Sequence, residues 1–236
     1  MLFPLRDLRP TTARPVLTWS LIALNVLVYA YQAHLGISDG DALVERFGVI
    51  PEVLVHGGHA GSLITPLTSM FLHGGLGHVL GNLWFLFVFG NHLEEALGRA
   101  RFVGFYLVCG LAAAATQVGI DPTSTVPVIG ASGAIAGVLG AYIVFFPRAR
   151  ILTFVPIFFL LEVPAFVYII LWFALEVVRA TFSLGASGAE GGIAFFAHVG
   201  GFLAGLALAL LLRPRAERPR TGPRNVRVVN ARADEP

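Results

Sequence analysis

The sequence predicts an all-α, polytopic membrane protein built as a bundle of six transmembrane helices. Three observations predict it. Hydrophobic residues fill 56% of the 236 positions and charged residues only 13%, against about 25% charged in a soluble globular domain. A chain with so little charge cannot cover its apolar surface in water, so the bilayer must solvate much of it. Long apolar runs recur with polar breaks between them, and the 16 basic residues, all arginine, concentrate in alternate breaks.

The first span is read over residues 16–34. Arg6, Arg9 and Arg14 precede it, as they would in a signal peptide. The run continues to about Tyr31 without a small-x-small cleavage site leading into a soluble domain, so it is read as an uncleaved helix. The remaining spans are 76–93, 102–118, 131–147, 163–180 and 193–212. Several fall short of the ~20 residues of an ideal span, which is tolerable where a helix faces protein or a water-filled cavity. The apolar stretch Ile151–Leu161 contains Pro156 and ends at Glu162; it is read as a re-entrant or interfacial lead-in to the fifth helix. Residues 35–72 form a loop too apolar for a solvated linker. Residues 1–15 and 213–236 flank the membrane domain 16–212, and the polar, proline-rich tail reads as disordered.

Placing the N-terminus inside puts Arg6, Arg9, Arg14, Arg99, Arg101, Arg148, Arg150 and seven tail arginines on the inner side, 14 of 16 in all. The acidic Asp39, Asp41, Glu45, Glu52, Asp121 and Glu190 fall outside. By the positive-inside rule both termini are cytoplasmic, in a cell inner (plasma) membrane. The single cysteine, Cys109, excludes an intrachain disulfide and a cysteine-cluster metal site. No cofactor, metal or nucleic-acid partner is expected.

Polar groups within apolar spans are costly and therefore informative. Gly130-Ala131-Ser132-Gly133 opens the fourth helix. A serine in a first helical turn is a good cap. It is also placed to attack a carbonyl while neighbouring unpaired N–H groups hold the oxyanion. His198, in Ala197-His198-Val199-Gly200-Gly201, lies on the sixth helix; if that helix starts near Gly192, His198 is about 9 Å along it. It reads either as a satisfied interhelical histidine or as a general base. Gly133, Gly137 and Gly140 share one helical face, and Gly201 and Gly205 form a small-xxx-small pattern. Such faces let two membrane helices approach closely, which would bring His198 within reach of Ser132. A third cluster, His73-x4-His78-x3-Asn82, enters the second helix. His78 and Asn82 share a face and can donate to an oxyanion. Metal ligation is the competing reading, disfavoured because asparagine is a poor transition-metal ligand. His73 is read as anchoring the end of the loop.

Taken together, His73-x4-His78-x3-Asn82, Gly130-x-Ser132-Gly133 and Ala197-His198-x2-Gly201-x3-Gly205 resemble the rhomboid family of intramembrane serine proteases, in the family's order and on its second, fourth and sixth helices. Glu94 with Gly98, and the stretch from Phe105-Tyr106 to Gly110, also resemble family features. The resemblance covers about residues 16–212 and implies a bacterial-type, six-helix member. It implies Ser132 as nucleophile and His198 as base, a dyad without a third acidic member. It implies His78, Asn82 and the backbone of Ser132 and Ala131 as oxyanion groups, with Gly130 shaping the hole. The supporting residues are Gly133, His73, Gly201 and Gly205. It further implies a water-filled cavity capped by residues 60–72, and lateral substrate entry beside the fifth helix with its Phe166, Tyr168, Trp172 and Phe173. Those aromatic residues also read as a lipid-facing stripe.

The chain departs from the family pattern at three places. Ser62-Leu63-Ile64-Thr65-Pro66 stands where many members carry a Trp-Arg pair, and Ala96 where a basic residue is frequent. Ala136 stands where some members stack an aromatic ring on the histidine, so His198 must be oriented by another group. The expected reaction is peptide-bond hydrolysis in a single-pass membrane protein, near the outer end of its helix. The rival readings are a catalytically inactive rhomboid-like membrane binder or chaperone, and a transporter. Inactive members lose the serine or histidine that this chain keeps, and a transporter would show internal inverted repeats.

Overall fold

A computed structural model describes residues 3–11, 13–58, 60–156, 159–183 and 194–213. The expected disordered tail, from residue 214, lies outside the described residues, and the sixth helix starts at Phe195, after Ala194 at its cap position, rather than near Gly192, so His198 stands in its first turn. Six long helices follow the expected spans: α1 (Val16–Phe47), α2 (Leu76–Leu97), α3 (Arg99–Ile120), α4 (Ser132–Phe145), α5 (Ala165–Ser183) and α6 (Phe195–Leu212). Of these, α1, α3, α5 and α6 are long and apolar enough to cross a membrane by themselves. A bent pair, Gly61–Phe71 with α2 at 76°, makes a fifth candidate span, and α4 is a shorter apolar helix.

The lengths have physical causes. α1 runs past its expected end because Gly36, at φ 77°, adopts a backbone conformation that only glycine takes easily and joins two helices across a kink. The segment expected as a loop therefore contains the end of α1, a short helix Pro51–Val55 and a chain of helical turns from Ala60 to Phe71. Residues Leu86–Gly90 of α2 form a π-helical turn, a local widening often found near functional sites. Glu94, at the far end of α2, accepts from the backbone N–H of Leu17 (3.0 Å) and of Thr18 (2.7 Å) and from the Thr18 hydroxyl (2.8 Å). It caps the otherwise unpaired donors at the start of α1 with a favourable charge.

α4 is the centre of the bundle. Eleven of its 14 residues are buried, and it is apolar all round, as a helix enclosed by others should be. Around it, Leu24, Val26 and Leu27 of α1, Val108 and Leu111 of α3, Ile170 and Leu171 of α5, and Leu203 and Leu210 of α6 are exposed. On a soluble protein this belt would be an aggregation surface; here it is the lipid-facing side.

The stretch read as a re-entrant or interfacial lead-in to the fifth helix forms a β-hairpin. Strand β2 (Arg150–Val155) pairs antiparallel with β3 (Phe159–Pro164), from Arg150↔Pro164 to Val155↔Phe159. Strand β1 (Phe3–Asp7) pairs with β2 on the other side, giving the order β1-β2-β3. Ile151 and Thr153 are fully buried while Phe154 is exposed. That is the two-residue alternation of a half-buried strand, and Pro156 falls in the connection. The N-terminal residues are thus tied to the bundle. The Trp84 indole N–H donates to the Pro4 carbonyl at 2.6 Å, Tyr142 donates its hydroxyl to Asp7, and the Arg9 guanidinium lies over the Phe146 ring.

Candidate active site

The α4–α6 interface sets the site. Hypothetical Cβ atoms on Gly201 and Gly205 would collide with the backbone carbonyls of Gly133 and Gly137, and one on Gly137 would stand 2.5 Å from the Cys109 side chain of α3. The backbones touch directly, as small residues allow within a membrane. At the end of this seam the Ser132 Oγ lies 2.8 Å from His198 Nε2. The two residues that sequence placed on neighbouring helices are hydrogen-bonded.

Ser132 is the first residue of α4, after Ala131 at the cap position. The backbone N–H groups of this first turn have no carbonyl one turn back to accept them. Gly130 turns the chain into the helix at φ 120°, a region that disfavours any side chain. A Cβ there would also stand 2.7 Å from His78 Nε2 and 3.5 Å from Ser132 Oγ. Glycine is required on both counts, and its absent side chain leaves room for His78 beside the serine. The Gly130 N–H donates to the Ser69 carbonyl at 2.9 Å, which fixes this turn against the segment before α2.

His78 and Asn82 both face the cavity in which Ser132 and His198 sit. His78 Nδ1 accepts a long hydrogen bond from the Gly74 N–H at 3.4 Å. The Asn82 Nδ2 group is buried and has no partner among the described residues. An unpaired buried amide is expensive, and this one lies where an oxyanion would need a donor. His73 does not enter the cavity. Its backbone N–H donates to Gln32 Oε1 (3.1 Å), and its carbonyl accepts from Gln32 Nε2 (3.3 Å). Its ring packs edge-on to that of His78 at 5.1 Å. The Gln32 side chain of α1 thus clamps the backbone at residue 73 to that helix.

The cavity has a volume of about 540 Å³ and is open on one side. Its described lining begins at Gly74 and continues through α2, Ile129, α4, α5 and Ala194-Phe195. The expected cap, residues 60–72, does not contribute to that lining. The fifth helix divides its aromatic residues. Trp172 lines the cavity, with its ring 6.2 Å from that of His198. Phe173 stacks on Phe202 at 4.1 Å, Tyr168 is buried and Phe166 is exposed. They are therefore not one lipid-facing stripe.

One group was missed. His198 was expected to have no acidic partner, but Glu176 Oε2 of α5 lies 2.6 Å from its Nδ1. The other carboxylate oxygen, Oε1, accepts from Arg179 at 3.0 Å. The signal was present in the sequence: an acid in the middle of an apolar span, with a base three residues later. Such a residue is a functional candidate by default. Among the described residues no group of three His, Cys, Asp or Glu side chains is arranged to hold a metal.

The model of the rhomboid domain matches residues 60–215. The chain belongs to the rhomboid family. It is 30% identical over 199 residues to rhomboid protease GluP of Bacillus subtilis (strain 168), covering 84% of this chain and 36% of that protein. It is 29% identical over 163 residues to the mitochondrial Rhomboid protein 1 of Saccharomyces cerevisiae, covering 67% of this chain and 44% of the relative. The mitochondrial presenilin-associated rhomboid-like protein of Homo sapiens is 31% identical over 146 residues, or 59% of this chain and 35% of its own length. The chain thus spans less than half the length of these relatives. As a rhomboid family member with several apolar helices, it is a multi-pass membrane protein.

Proposed function

We propose that this chain is an intramembrane serine endopeptidase. The carrying observation is the 2.8 Å contact between Ser132 Oγ and His198 Nε2 at the N-terminus of a buried helix, beside an unpaired Asn82 amide in the same cavity. His198 Nε2 takes the proton of Ser132 as Oγ attacks the substrate carbonyl carbon. The carbonyl oxygen becomes an oxyanion and is met by the Ser132 and Ala131 backbone at the helix start, by Asn82 Nδ2 and by the His78 ring. Collapse of the tetrahedral intermediate breaks the C–N bond, and the proton on His198 passes to the leaving amine. A water deprotonated by His198 then releases the acyl group and restores Ser132.

The substrates proposed are single-pass membrane proteins. A helical carbonyl is hydrogen-bonded and shielded, so the cleaved segment must unwind, and helix-destabilising residues near the cut favour it. The proposed placement is a cell inner membrane with both termini cytoplasmic, domain 16–212 embedded, and the cavity open to the outer face. The arginine asymmetry supports that orientation.

The test is co-expression with a tagged single-pass substrate. Wild type should cut it, and Ser132→Ala and His198→Ala should not. A fluorophosphonate probe should label wild type and fail to label Ser132→Ala. Cleavage that persists in both variants would sink the assignment and favour a non-catalytic membrane binder.

A further inference from the structure

Two aromatic rings flank His198: Trp172 at 6.2 Å and tilted by 34°, and Phe195 edge-on at 6.4 Å. Such contacts restrict where the ring can swing. They do not decide which ring nitrogen carries the proton. A base that accepts at Nε2 must carry its proton at Nδ1, and that choice is made by whatever Nδ1 is bonded to. Ala136 supplies no ring or polar group for this purpose. Glu176 does: its Oε2 is 2.6 Å from Nδ1, while Nε2 points to Ser132.

The carboxylate is built for the task. The Glu176 side chain is 4% exposed and that of Arg179 is 39% exposed, so Arg179 keeps its outer part in contact with the surroundings while neutralising a buried acid. The two oxygens are divided, Oε1 for Arg179 and Oε2 for His198. A carboxylate retained only as the partner of Arg179 would have no need to place its second oxygen on an imidazole. A carboxylate at the far nitrogen of a serine-bonded histidine holds the ring in the productive tautomer and stabilises the imidazolium that forms when the serine proton is taken.

Resting on the protease reading, we infer that Glu176 is a positioning residue that turns the Ser132–His198 pair into a functional triad, supplied by α5 rather than by α4 or α6. The balance is simple. The serine proton moves to Nε2, the Nδ1 proton stays on the ring, and the charge created on the imidazolium faces the Glu176 carboxylate. Glu176 touches neither the nucleophile nor the substrate carbonyl. The inference also ties the reactivity of Ser132 to the seating of α5, because displacement of that helix removes the carboxylate from the base.

The experiment uses the full chain in detergent or nanodiscs, as wild type and Glu176→Gln. Labelling of Ser132 by a fluorophosphonate and cleavage of a single-pass substrate are followed. Glu176→Gln should lower kcat and the labelling rate by about 100-fold or more, with KM within about threefold of wild type. A mere structural role for Glu176 would not move a second readout, nuclear magnetic resonance of ring-labelled histidine in the inactive Ser132→Ala background. There His198, assigned by its loss in His198→Ala, should show the Nδ1-protonated tautomer with a strongly low-field ring proton. That measurement stands even if Glu176→Gln does not fold. Labelling by Glu176→Gln at the wild-type rate, or a His198 ring protonated at Nε2, overturns the inference. The two readings fail separately. No Ser132-dependent labelling in wild type overturns the protease assignment, whereas wild-type labelling unchanged by Glu176→Gln overturns the triad alone.

Discussion

Replacing Gly201 by alanine adds one methyl group where α4 and α6 come closest. The new Cβ would run into the Gly133 carbonyl oxygen, a backbone atom held by its own helix, with Ala113 Cβ of α3 at 3.4 Å. No flexible side chain stands in the way to yield. Ordinary contact begins near 3.4 Å, so the backbones must part by more than ~1 Å. Ser132 directly precedes Gly133, and His198 lies one turn before Gly201. The separation therefore acts on the 2.8 Å Oγ–Nε2 bond and stretches it toward ~4 Å, beyond hydrogen-bond range. Overpacking of this kind costs about 1–3 kcal/mol of stability, and a misplacement of about 1 Å at a reacting centre costs roughly 100-fold in rate. Thermal unfolding in detergent and the fluorophosphonate labelling rate would report the two effects. Gly104→Ala is the control, since nothing lies within 4 Å of a Cβ there, and it should lower neither. A Gly201→Ala protein that unfolds and labels like wild type would refute the argument that backbone contact between α4 and α6 sets the site.

Three further outcomes follow from the same geometry. Asn82→Ala should lower kcat by about 100- to 1,000-fold without lowering the unfolding temperature, because the amide it removes is buried without a partner; a kcat within twofold of wild type would exclude Asn82 from the oxyanion site. Gln32→Ala should cost about 1–3 kcal/mol in thermal unfolding, since it strands both backbone groups of His73, while Gln32→Glu, which keeps only the acceptor, should lose part of that. Treatment with a strong chelator should leave cleavage unchanged; loss of activity restored by a divalent ion would revive metal ligation by His73 and His78.

Much of the fold was legible because a bilayer imposes one simple requirement, a long apolar run, on each crossing. Ser132, His198, His78 and Asn82 were legible because polar groups inside such runs stand out. The same logic should have flagged Glu176. It was passed over because it belongs to no motif and acquires its partner only when α5 packs against α6, 22 residues away in sequence. The hairpin was missed for a different reason. In an apolar chain the alternation that marks a strand is one of burial, not polarity: Ile151 and Thr153 face in and Phe154 faces out, yet Ile and Phe are both hydrophobic. The extension of α1 past residue 34 was hidden by Gly36, which reads as a helix end and is instead a kink between two helical halves.

The small sheet also carries information about the membrane that no hydropathy count contains. Strands β1 and β2 are hydrogen-bonded from Phe3↔Phe154 to Asp7↔Ile151, and two bonded strands must lie on one side of the bilayer. Four long helices, α1 to α4, intervene between them, so the number of crossings must be even. α4, at 14 residues, is only about 21 Å long and by length alone would be discounted as a crossing. Parity does not permit it to be the single exception: if α1, α2 and α3 each cross, α4 must cross too. A five-residue strand at the very beginning of the chain thus acts as a topological check digit on everything inserted before residue 150.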